Sequence, residues 1–137
     1  MSSPGVAVLR GFNDALARGD VGGMLDFLDP EVEFRAPESL PWGGTFHGHE
    51  GFREFLAKVF NQQPAEFSRE LLEYLDAGER VVVLLRLRGA PKGGGKGFDV
   101  PEVHVWTVRD GKIVDFEGYF DTATALRTLQ LQPRPTA

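Results

Sequence analysis

The spacing of apolar residues changes once along the chain, and this change constrains the fold more than any other feature. Before about residue 65 the apolar residues recur at helical intervals, whereas after it they alternate with polar residues as in strands. Helices followed by a run of strands predict an α+β domain. Because the sheet has an apolar face that must be covered, we expect the helices to fold back across it and enclose a cone-shaped interior.

The first part of the chain predicts three helices and one strand. A Gly19-Asp20 pair is expected to end the first helix and cap the second, and Asp29-Pro30 is expected to end the second. The residues that define these elements are Leu9, Phe12 and Leu16 for the first helix, Val21, Met24, Leu25 and Leu28 for the second, Val32, Phe34 and Ala36 for the strand, and Phe52, Phe55, Leu56, Val59 and Phe60 for the third helix.

The second part predicts an antiparallel meander and a short closing helix. Strands are predicted at about residues 66–75, 80–88, 98–109 and 112–120, with turn signals between them. Residues 122–130 predict a last helix, and residues 131–137 have the composition of a flexible tail. With 137 residues and no repeat, residues 1–137 are predicted to form one domain.

Composition excludes several classes of partner. The net charge is −5 with acidic and basic residues interleaved, so no nucleic-acid partner is expected. No apolar run approaches the roughly 20 residues of a membrane span, and the first residues lack the features of a signal peptide, so we expect a cytoplasmic protein without a membrane partner. The lack of cysteine agrees with that compartment and excludes disulfides, thiolate nucleophiles and cysteine-based zinc sites.

The segment Pro41–Phe52 joins the first strand to the third helix and carries a large aromatic residue. Trp42 lies between a proline and two glycines, where the backbone can bend sharply and the ring can fold back over the interior. This pattern predicts the mouth of a ligand pocket. Large rings on such loops also seal the end of a core, and the sequence favours neither role for Trp42.

Several motifs together identify the chain as similar to a known superfamily. They are the Ala17–Asp20 junction, the Glu31–Pro37 strand, the Gly-Thr-Phe-His-Gly loop at residues 44–48, and Asp110–Ile113. These resemble the nuclear-transport-factor-2-like superfamily, most closely its SnoaL-like and ketosteroid-isomerase-like members, from about Leu9 to Leu129. The resemblance implies a cystatin-like cone in which a curved antiparallel sheet wraps over N-terminal helices. It leaves function open, because the superfamily holds isomerases, cyclases, hydrolases and non-enzymatic modules.

The ketosteroid isomerase pattern departs from this sequence at the positions that carry the chemistry. The oxyanion-binding tyrosine of that pattern falls on Phe12, the proton-transferring carboxylate on Ala36, and the second oxyanion donor on His104. Phenylalanine and alanine cannot donate a hydrogen bond or move a proton, so steroid isomerisation by the family mechanism is not expected.

The cyclase-like members suggest a different pair of residues. They typically carry a carboxylate near the end of the last strand, where Asp121 follows Phe120 here. The resemblance therefore makes Asp121 a candidate base that, with His104, would remove a proton alpha to a carbonyl. Two alternatives stay open: Asp121 precedes the last helix and can cap it, and His104 can simply be satisfied by Glu102 or by a backbone carbonyl.

The turn at Arg109-Asp110-Gly111 decides which side chains of the last two strands share a face. We favour a three-residue loop, which sends large apolar groups inward and Asp115 and Glu117 outward. The inward face is then Glu102, His104, Trp106, Val108, Val114, Phe116, Gly118 and Phe120, and the outward face is Val103, Val105, Thr107, Ile113, Asp115, Glu117 and Tyr119. A two-residue loop would instead bring Asp115 and Glu117 beside Trp106 and His104.

These inferences predict an apolar pocket for a small, largely apolar molecule with a polar handle. Its walls are predicted to be Phe12, Phe34, Trp42, Phe55, Glu102, His104, Trp106, Phe116 and Phe120. No cofactor is predicted, and no metal site either, because the His47 and His49 pair lacks a third ligand at fixed spacing.

Two functions from different classes remain open at this point. One is an isomerase- or cyclase-type enzyme acting alpha to a carbonyl through His104 and Asp121. The other is a non-catalytic module for small-molecule binding or dimerisation. In either case, we expect a homodimer through the outer face of the sheet, where Val82, Leu84, Val103, Val105 and Tyr119 would otherwise face water.

Overall fold

The computed structural model describes residues 3–62, 65–91 and 93–129, and it has the predicted α+β architecture. The elements in chain order are α1 (Pro4–Ala17), α2 (Val21–Asp26), β1 (Leu28–Ala36), β2 (Gly44–His47), α3 (Gly48–Gln62), β3 (Ala65–Ala77), β4 (Arg80–Pro91), β5 (Phe98–Arg109), β6 (Lys112–Phe120) and α4 (Thr122–Leu129). The predicted tail at residues 131–137 lies outside the described residues.

Within the described ranges the strands form one curved, unclosed sheet with the order β2-β1-β6-β5-β4-β3. The meander from β3 to β6 is antiparallel, as predicted, and β1 joins β6 in the parallel direction. Residues of α1 and α3 pack on one face of the sheet, where Leu9, Phe12 and Phe52 contact a core that includes Val83 and Trp106. None of the helices in the part that the structure describes has the length and apolar character needed to cross a bilayer.

The junction between the first two helices follows the predicted chemistry. Gly19 has φ 68, a left-handed conformation that glycine adopts without strain. The side chain of Asp20 accepts a hydrogen bond from the backbone N–H of Gly23 at 2.9 Å and so caps α2. The capping prediction for Asp20 is confirmed.

Two element boundaries differ from the sequence prediction because pairing with the sheet outweighs local signals. Helix α2 ends at Asp26 rather than near Leu28, and β1 begins at Leu28 because the Ile113 N–H donates to the Phe27 carbonyl at 2.8 Å. Pro30 lies in β1 at an irregularity between two paired segments, where its missing N–H removes no ladder bond. The predicted loop at residues 41–52 also contains strand β2, which pairs with the end of β1.

The β5–β6 hairpin combines features of both registers that the sequence allowed. The prediction of a three-residue loop is wrong: Arg109 pairs with Lys112 across a two-residue turn in which Asp110 has φ 51 and Gly111 has φ 76. Positive φ at both central residues is typical of a type I′ turn, whose twist matches that of the strands. A bulge then leaves Val114 without a paired residue, because Thr107 pairs with Asp115 and Val108 with Ile113.

The bulge restores the predicted faces over most of the hairpin. Phe116, Gly118 and Phe120 pair with Trp106, His104 and Glu102, as expected, and Asp115 and Glu117 lie on the opposite face. Between the turn and the bulge the predicted faces are wrong, since Val114 was predicted to face inward and Ile113 outward. Ile113 instead pairs with Val108 and is fully buried in the core, and Val114 is the bulged residue. An inserted residue shifts the side-chain alternation by one step.

Gly111→Ala should destabilise the protein by about 1 kcal/mol, because alanine is strained at positive φ although no atom lies within 4 Å of its Cβ position. Asp110→Asn is the matched control and should be neutral or stabilising, since Asn-Gly is favoured in type I′ turns. Urea unfolding of both variants measures the difference. Equal stability of Gly111→Ala and the wild type would contradict this account of the turn.

Candidate functional site

Five of the predicted pocket residues lie together between the helices and the sheet. Phe12 of α1, Phe34 of β1 and Phe55 of α3 meet Trp106 and Phe116 in one cluster. Ring centroids are 4.4 Å apart for Trp106 and Phe116, 5.0 Å for Phe34 and Phe116, and 5.2 Å for Phe12 and Trp106. The rings therefore contact one another across the interior of the fold.

Trp42 and Phe120 belong to a separate apolar cluster. Trp42 is buried with Leu40 and Leu126 of α4, and Phe67 and Phe120 pack against this group. The Trp42 and Phe67 ring centroids are 5.5 Å apart in an edge-on arrangement. This packing gives Trp42 the core-sealing role that the sequence left open, and it places the ring in a different cluster from Trp106.

The most unusual polar group in the interior is the carboxylate of Glu102, whose side chain is only 2% exposed. Its Oε1 accepts a hydrogen bond from Arg69 Nε at 2.8 Å, and its Oε2 lies 3.3 Å from His104 Nε2. Burial acts to raise the pKa of Glu102, but the contact with His104 and the charges of Arg69 and His104 outweigh it and hold the pKa below its usual range. Glu102 is therefore a buried carboxylate that stays ionised.

His104 is held between this carboxylate and two aromatic rings. It lies two residues after Glu102 on β5, so both side chains project from the same face of the sheet. Its ring meets Phe116 edge-on at 4.9 Å and Trp106 edge-on at 5.9 Å. Gly118 lies opposite on β6, where a Cβ would fall 3.5 Å from His104 Cδ2 and 3.1 Å from Phe116 Cζ. The absence of a side chain at Gly118 leaves room for both rings.

The indole nitrogen of Trp106 is a second unusual polar group at this site. Trp106 is 4% exposed, and its Nε1 is buried without a hydrogen-bond partner among the described residues. A buried N–H donor without an acceptor costs about 1–3 kcal/mol. Glu102, His104 and Trp106 thus place an ionised carboxylate, an imidazole and an unpaired donor along one face of β5.

Asp121 is turned toward the last helix. One carboxylate oxygen accepts from the backbone N–H of Thr124 at 3.0 Å and the other from the Thr124 hydroxyl at 2.6 Å. Both hydrogen bonds lower the pKa of Asp121, and the bond from the Thr124 hydroxyl has the larger effect. The capping interpretation is confirmed, and in the described part of the chain no nitrogen of His104 lies within ion-pair distance of Asp121. The contacts of the described residues thus include no direct interaction between the two predicted catalytic residues.

The two histidines of the His-x-His motif make separate structural contacts. His47 Nε2 lies 2.9 Å from a carboxylate oxygen of Glu31, and His49 Nε2 lies 2.9 Å from the backbone carbonyl of Leu28. Among the described residues no group of three or more potential ligands is arranged to hold a metal ion.

Sequence reasoning missed Arg69, the residue that holds Glu102. Phe67 and Arg69 lie on the inward-facing side of β3, which a period-two pattern could have shown. A carboxylate predicted to face the interior needs a cationic partner. This requirement could have directed attention to an arginine on the inward-facing side of a neighbouring strand.

Two shallow depressions lie at the surface near the end of β1. One, of about 310 Å³, is lined by residues that include Glu38, Phe46 and Lys58. The other, of about 230 Å³, is lined by residues that include Ala36, Glu117 and Gly118. Neither includes His104 or Trp106 in its lining, although Gly118 is the residue opposite His104.

Proteins of known structure are similar to this chain over almost all of its length. An NTF2-like protein of unknown function from Burkholderia pseudomallei K96243 is 32% identical, with 93% of this chain and 98% of that chain covered and a TM-score of 0.80. TerC, crystallised with polyporic acid, is 30% identical, with 93% and 99% covered and a TM-score of 0.80. An NTF2-like protein from Burkholderia xenovorans LB400 is 30% identical, with 94% and 98% covered and a TM-score of 0.81.

No protein of curated function matches the chain. The family model described as the SnoaL-like domain matches residues 9–116. This match spans most of the sequence and agrees with the resemblance that the motifs had indicated. The chain belongs to the SnoaL-like family of the NTF2-like superfamily.

Proposed function

We propose that this protein binds a small, largely apolar molecule carrying a carbonyl or similar oxygen, and that the Glu102 and His104 pair moves a proton alpha to that carbonyl. One observation carries the proposal: a buried, unpaired Trp106 N–H lies beside a histidine held by an ionised carboxylate. An acceptor oxygen on a ligand would satisfy the N–H, and the surrounding rings would contact the apolar part of the molecule.

The three residues have complementary roles in this proposal. The Trp106 Nε1–H donates to the carbonyl oxygen and stabilises the negative charge that develops there. His104 takes the proton from the adjacent carbon through its imidazole, and Glu102 stabilises the imidazolium that forms. In a ketone with a double bond between its β and γ carbons, loss of the alpha proton gives a dienolate, and returning the proton to the γ carbon gives the conjugated isomer without an oxidant or other co-reactant.

The closely packed rings set a condition on this function. Phe12, Phe34 and Phe116 occupy the space next to Trp106, so a ligand must displace at least one of them. Aromatic side chains can change rotamer. Contacts with the ligand would then replace the contacts that the displaced ring had made with its neighbours. TerC, a relative at 30% identity, was crystallised with polyporic acid, which supports ligand binding as a property to test in this chain.

A non-catalytic binding module is the second candidate function. The observation in its favour is Asp121, which the resemblance suggested as the base and which instead caps α4 with a lowered pKa. A carboxylate with a lowered pKa is a weaker base. In this candidate the same Trp106 and His104 contacts hold the ligand and no proton moves.

Binding is tested with polyporic acid as the probe, by calorimetric titration of the wild type, Trp106→Phe and Trp42→Phe. Trp106→Phe keeps the ring and removes the donor, so affinity should fall about tenfold, which corresponds to about 1.4 kcal/mol for one hydrogen bond. Trp42→Phe is the matched control in the separate cluster and should bind as the wild type does. Equal affinity of Trp106→Phe and the wild type would rule out the indole as the donor.

Catalysis is separated from binding by deuterium exchange with the wild type and the His104→Gln variant. Apolar ketones with an exchangeable alpha proton are incubated in D₂O, and deuterium incorporation is followed by NMR. The enzyme proposal expects incorporation that His104→Gln abolishes while the variant keeps its melting temperature. Binding of the probe without any protein-dependent incorporation would favour the module.

Glu102→Gln should lower the free energy of unfolding at pH 7 by about 1–2 kcal/mol, because a buried ion pair loses its anion while Arg69 is partly solvated. The pKa of Glu102 is lowered in the folded state, so its contribution is present above the unfolded pKa of about 4.3 and is lost as pH falls through the folded pKa.

Chemical unfolding at a series of pH values between neutral and acidic checks this prediction. The difference between wild type and Glu102→Gln should narrow as the pH falls. Glu70→Gln, on the exposed ion pair with Arg88, is the control and should change stability little at any pH. A difference that stays constant with pH would mean that Glu102 is not ionised in the fold.

We also propose that the protein forms a homodimer through the outer face of the sheet. Val82, Leu84, Val103 and Val105 are only partly buried there, and Tyr119 is 52% exposed. Ion pairs flank this strip on both sides: Arg86 with Asp99, and Arg35 with Asp115. An apolar centre with a charged rim is the usual composition of an interface.

Light scattering after size exclusion measures the oligomeric state. Val103→Arg places a charge at the centre of the strip and should convert the dimer to a monomer. Val21→Arg, at an exposed position on α2, is the control and should leave the dimer intact. A monomeric wild type, or a dimeric Val103→Arg variant, would refute the proposed interface.

A further inference from the structure

The ring of Phe116 contacts both groups to which the proposed function assigns the chemistry. Its centroid is 4.4 Å from that of Trp106 and 4.9 Å from that of His104. Phe116 is 7% exposed, and the Trp106 Nε1 is buried without a hydrogen-bond partner in the part of the chain that the structure describes. A phenyl ring of this protein therefore fills the space in which a ligand would meet Trp106 and His104.

The glycine at position 118 allows the Phe116 ring to take this position. Gly118 comes two residues after Phe116 on the inward face of β6 and pairs with His104. A Cβ at Gly118 would lie 3.1 Å from Phe116 Cζ, which is closer than carbon atoms normally pack, and 3.5 Å from His104 Cδ2. The Phe116 ring thus extends along its own strand, over the bare backbone of Gly118 and against the imidazole.

We propose that Phe116 is a gating residue, whose ring holds the place of a six-membered ring of the ligand and turns aside when the ligand enters. This inference rests on the proposed function, because Trp106 and His104 define the place that the ring fills. It also limits the ligand, since the space that one phenyl ring vacates fits one flat six-membered ring with its acceptor oxygen toward Trp106.

The two other phenylalanines beside Trp106 are less suited to this movement because they hold a helix on the sheet. Phe12 of α1 and Phe34 of β1 both pack against Phe52 of α3. Among the described residues, the aromatic partners of the Phe116 ring all lie on strands. Side chains on strands commonly adopt either of two χ1 rotamers, so the Phe116 ring can turn without moving a helix.

Solvent reaches this cluster at His104, whose side chain is 14% exposed, whereas Trp106 is 4% exposed. A molecule that approaches beside His104 meets the Phe116 ring, which contacts the imidazole edge-on. The ring must be displaced before a ligand oxygen reaches the indole nitrogen. The apparent affinity of the wild type is therefore reduced by the fraction of molecules in which the ring has turned away.

The test is an NMR titration of the wild type, Phe116→Ala and Phe52→Ala with 2-cyclohexenone, a nearly flat ring with one carbonyl oxygen. The chain has no cysteine to react with this probe and has two tryptophans, so the Trp42 indole signal is an internal control from the separate cluster. Phe116→Ala should bind the probe about tenfold more tightly than the wild type, because no ring has to be displaced. The Trp106 Nε1–H signal, identified by its loss in Trp106→Phe, should move downfield on binding, and the Trp42 signal should not move.

Phe52→Ala is the matched control for the loss of a buried ring. Phe52 is 1% exposed and its ring packs on Phe12 and Phe34 in the same cluster. Its removal should leave the affinity for 2-cyclohexenone near that of the wild type. Phe116→Leu is the milder variant should Phe116→Ala fail to fold. Because leucine vacates only part of the space, the affinity should rise in the same direction, by about threefold.

The proposal is overturned if neither Phe116 variant binds 2-cyclohexenone more tightly than the wild type, or if Phe52→Ala gains as much affinity. Benzene, which has no acceptor oxygen, separates this inference from the proposed function, because dry apolar cavities bind it. If Phe116→Ala gains affinity for both probes while the Trp106 Nε1–H signal does not move downfield with 2-cyclohexenone, the gating role is upheld and the indole is refuted as the donor. If neither Phe116 variant gains affinity but polyporic acid binds in a Trp106-dependent way, the gating role is refuted and the proposed binding function stands.

Discussion

The register of the β5–β6 hairpin is the constraint on which the rest of the structure depends. Strand β6 lies between β1 and β5, so its alternation decides which residues of three strands face the helices. The two-residue turn buries Ile113, and the bulge at Val114 then reverses the alternation, so that Phe116 faces inward and Asp115 and Glu117 face outward. Without the bulge these two carboxylates would be buried beside the aromatic core, at a high desolvation cost.

The same register brings the polar groups of the site together in an apolar interior. Glu102, His104 and Trp106 follow one another on the inward face of β5, opposite Phe120, Gly118 and Phe116. Packing alone does not require a buried carboxylate there, since apolar residues of similar volume often replace buried ion pairs without loss of stability. In the proposed function this carboxylate supports proton transfer by His104, and Arg69 supplies the charge that compensates it.

Much of the fold was predictable from periodicity. The stripes in α1 and α3 and the alternation in β4 to β6 reflect burial against a single core, and burial is what the sequence pattern records. Strand β2 and the early end of α2 were missed because they form through pairing with β1 and β6, and partners distant in sequence leave no local signal. The Asp110-Gly111 pair is a recognised sequence signal for a type I′ turn, so the turn type could have been predicted. The bulge that follows the turn has no comparable sequence signal.

The site was predicted less completely than the fold, for a related reason. Alternation placed Glu102, His104 and Trp106 on one face, yet it could not show that Arg69, two strands away, reaches the same carboxylate. For Asp121 the sequence offered two conflicting signals. Its position before a helix predicted a cap, whereas its position at the end of the last strand suggested a catalytic base. The geometry supports the cap.

The central claim is that Trp106 holds a ligand oxygen inside the cone with the ligand's carbon framework beside His104, and a crystal structure of the protein grown with polyporic acid tests it most directly. The account predicts a ligand between the helices and β5, with an oxygen within hydrogen-bond distance of Trp106 Nε1, an adjacent carbon against the His104 ring, and at least one phenylalanine displaced. A cone still filled by Phe12, Phe34 and Phe116, with the ligand absent or bound only at the surface, would contradict it.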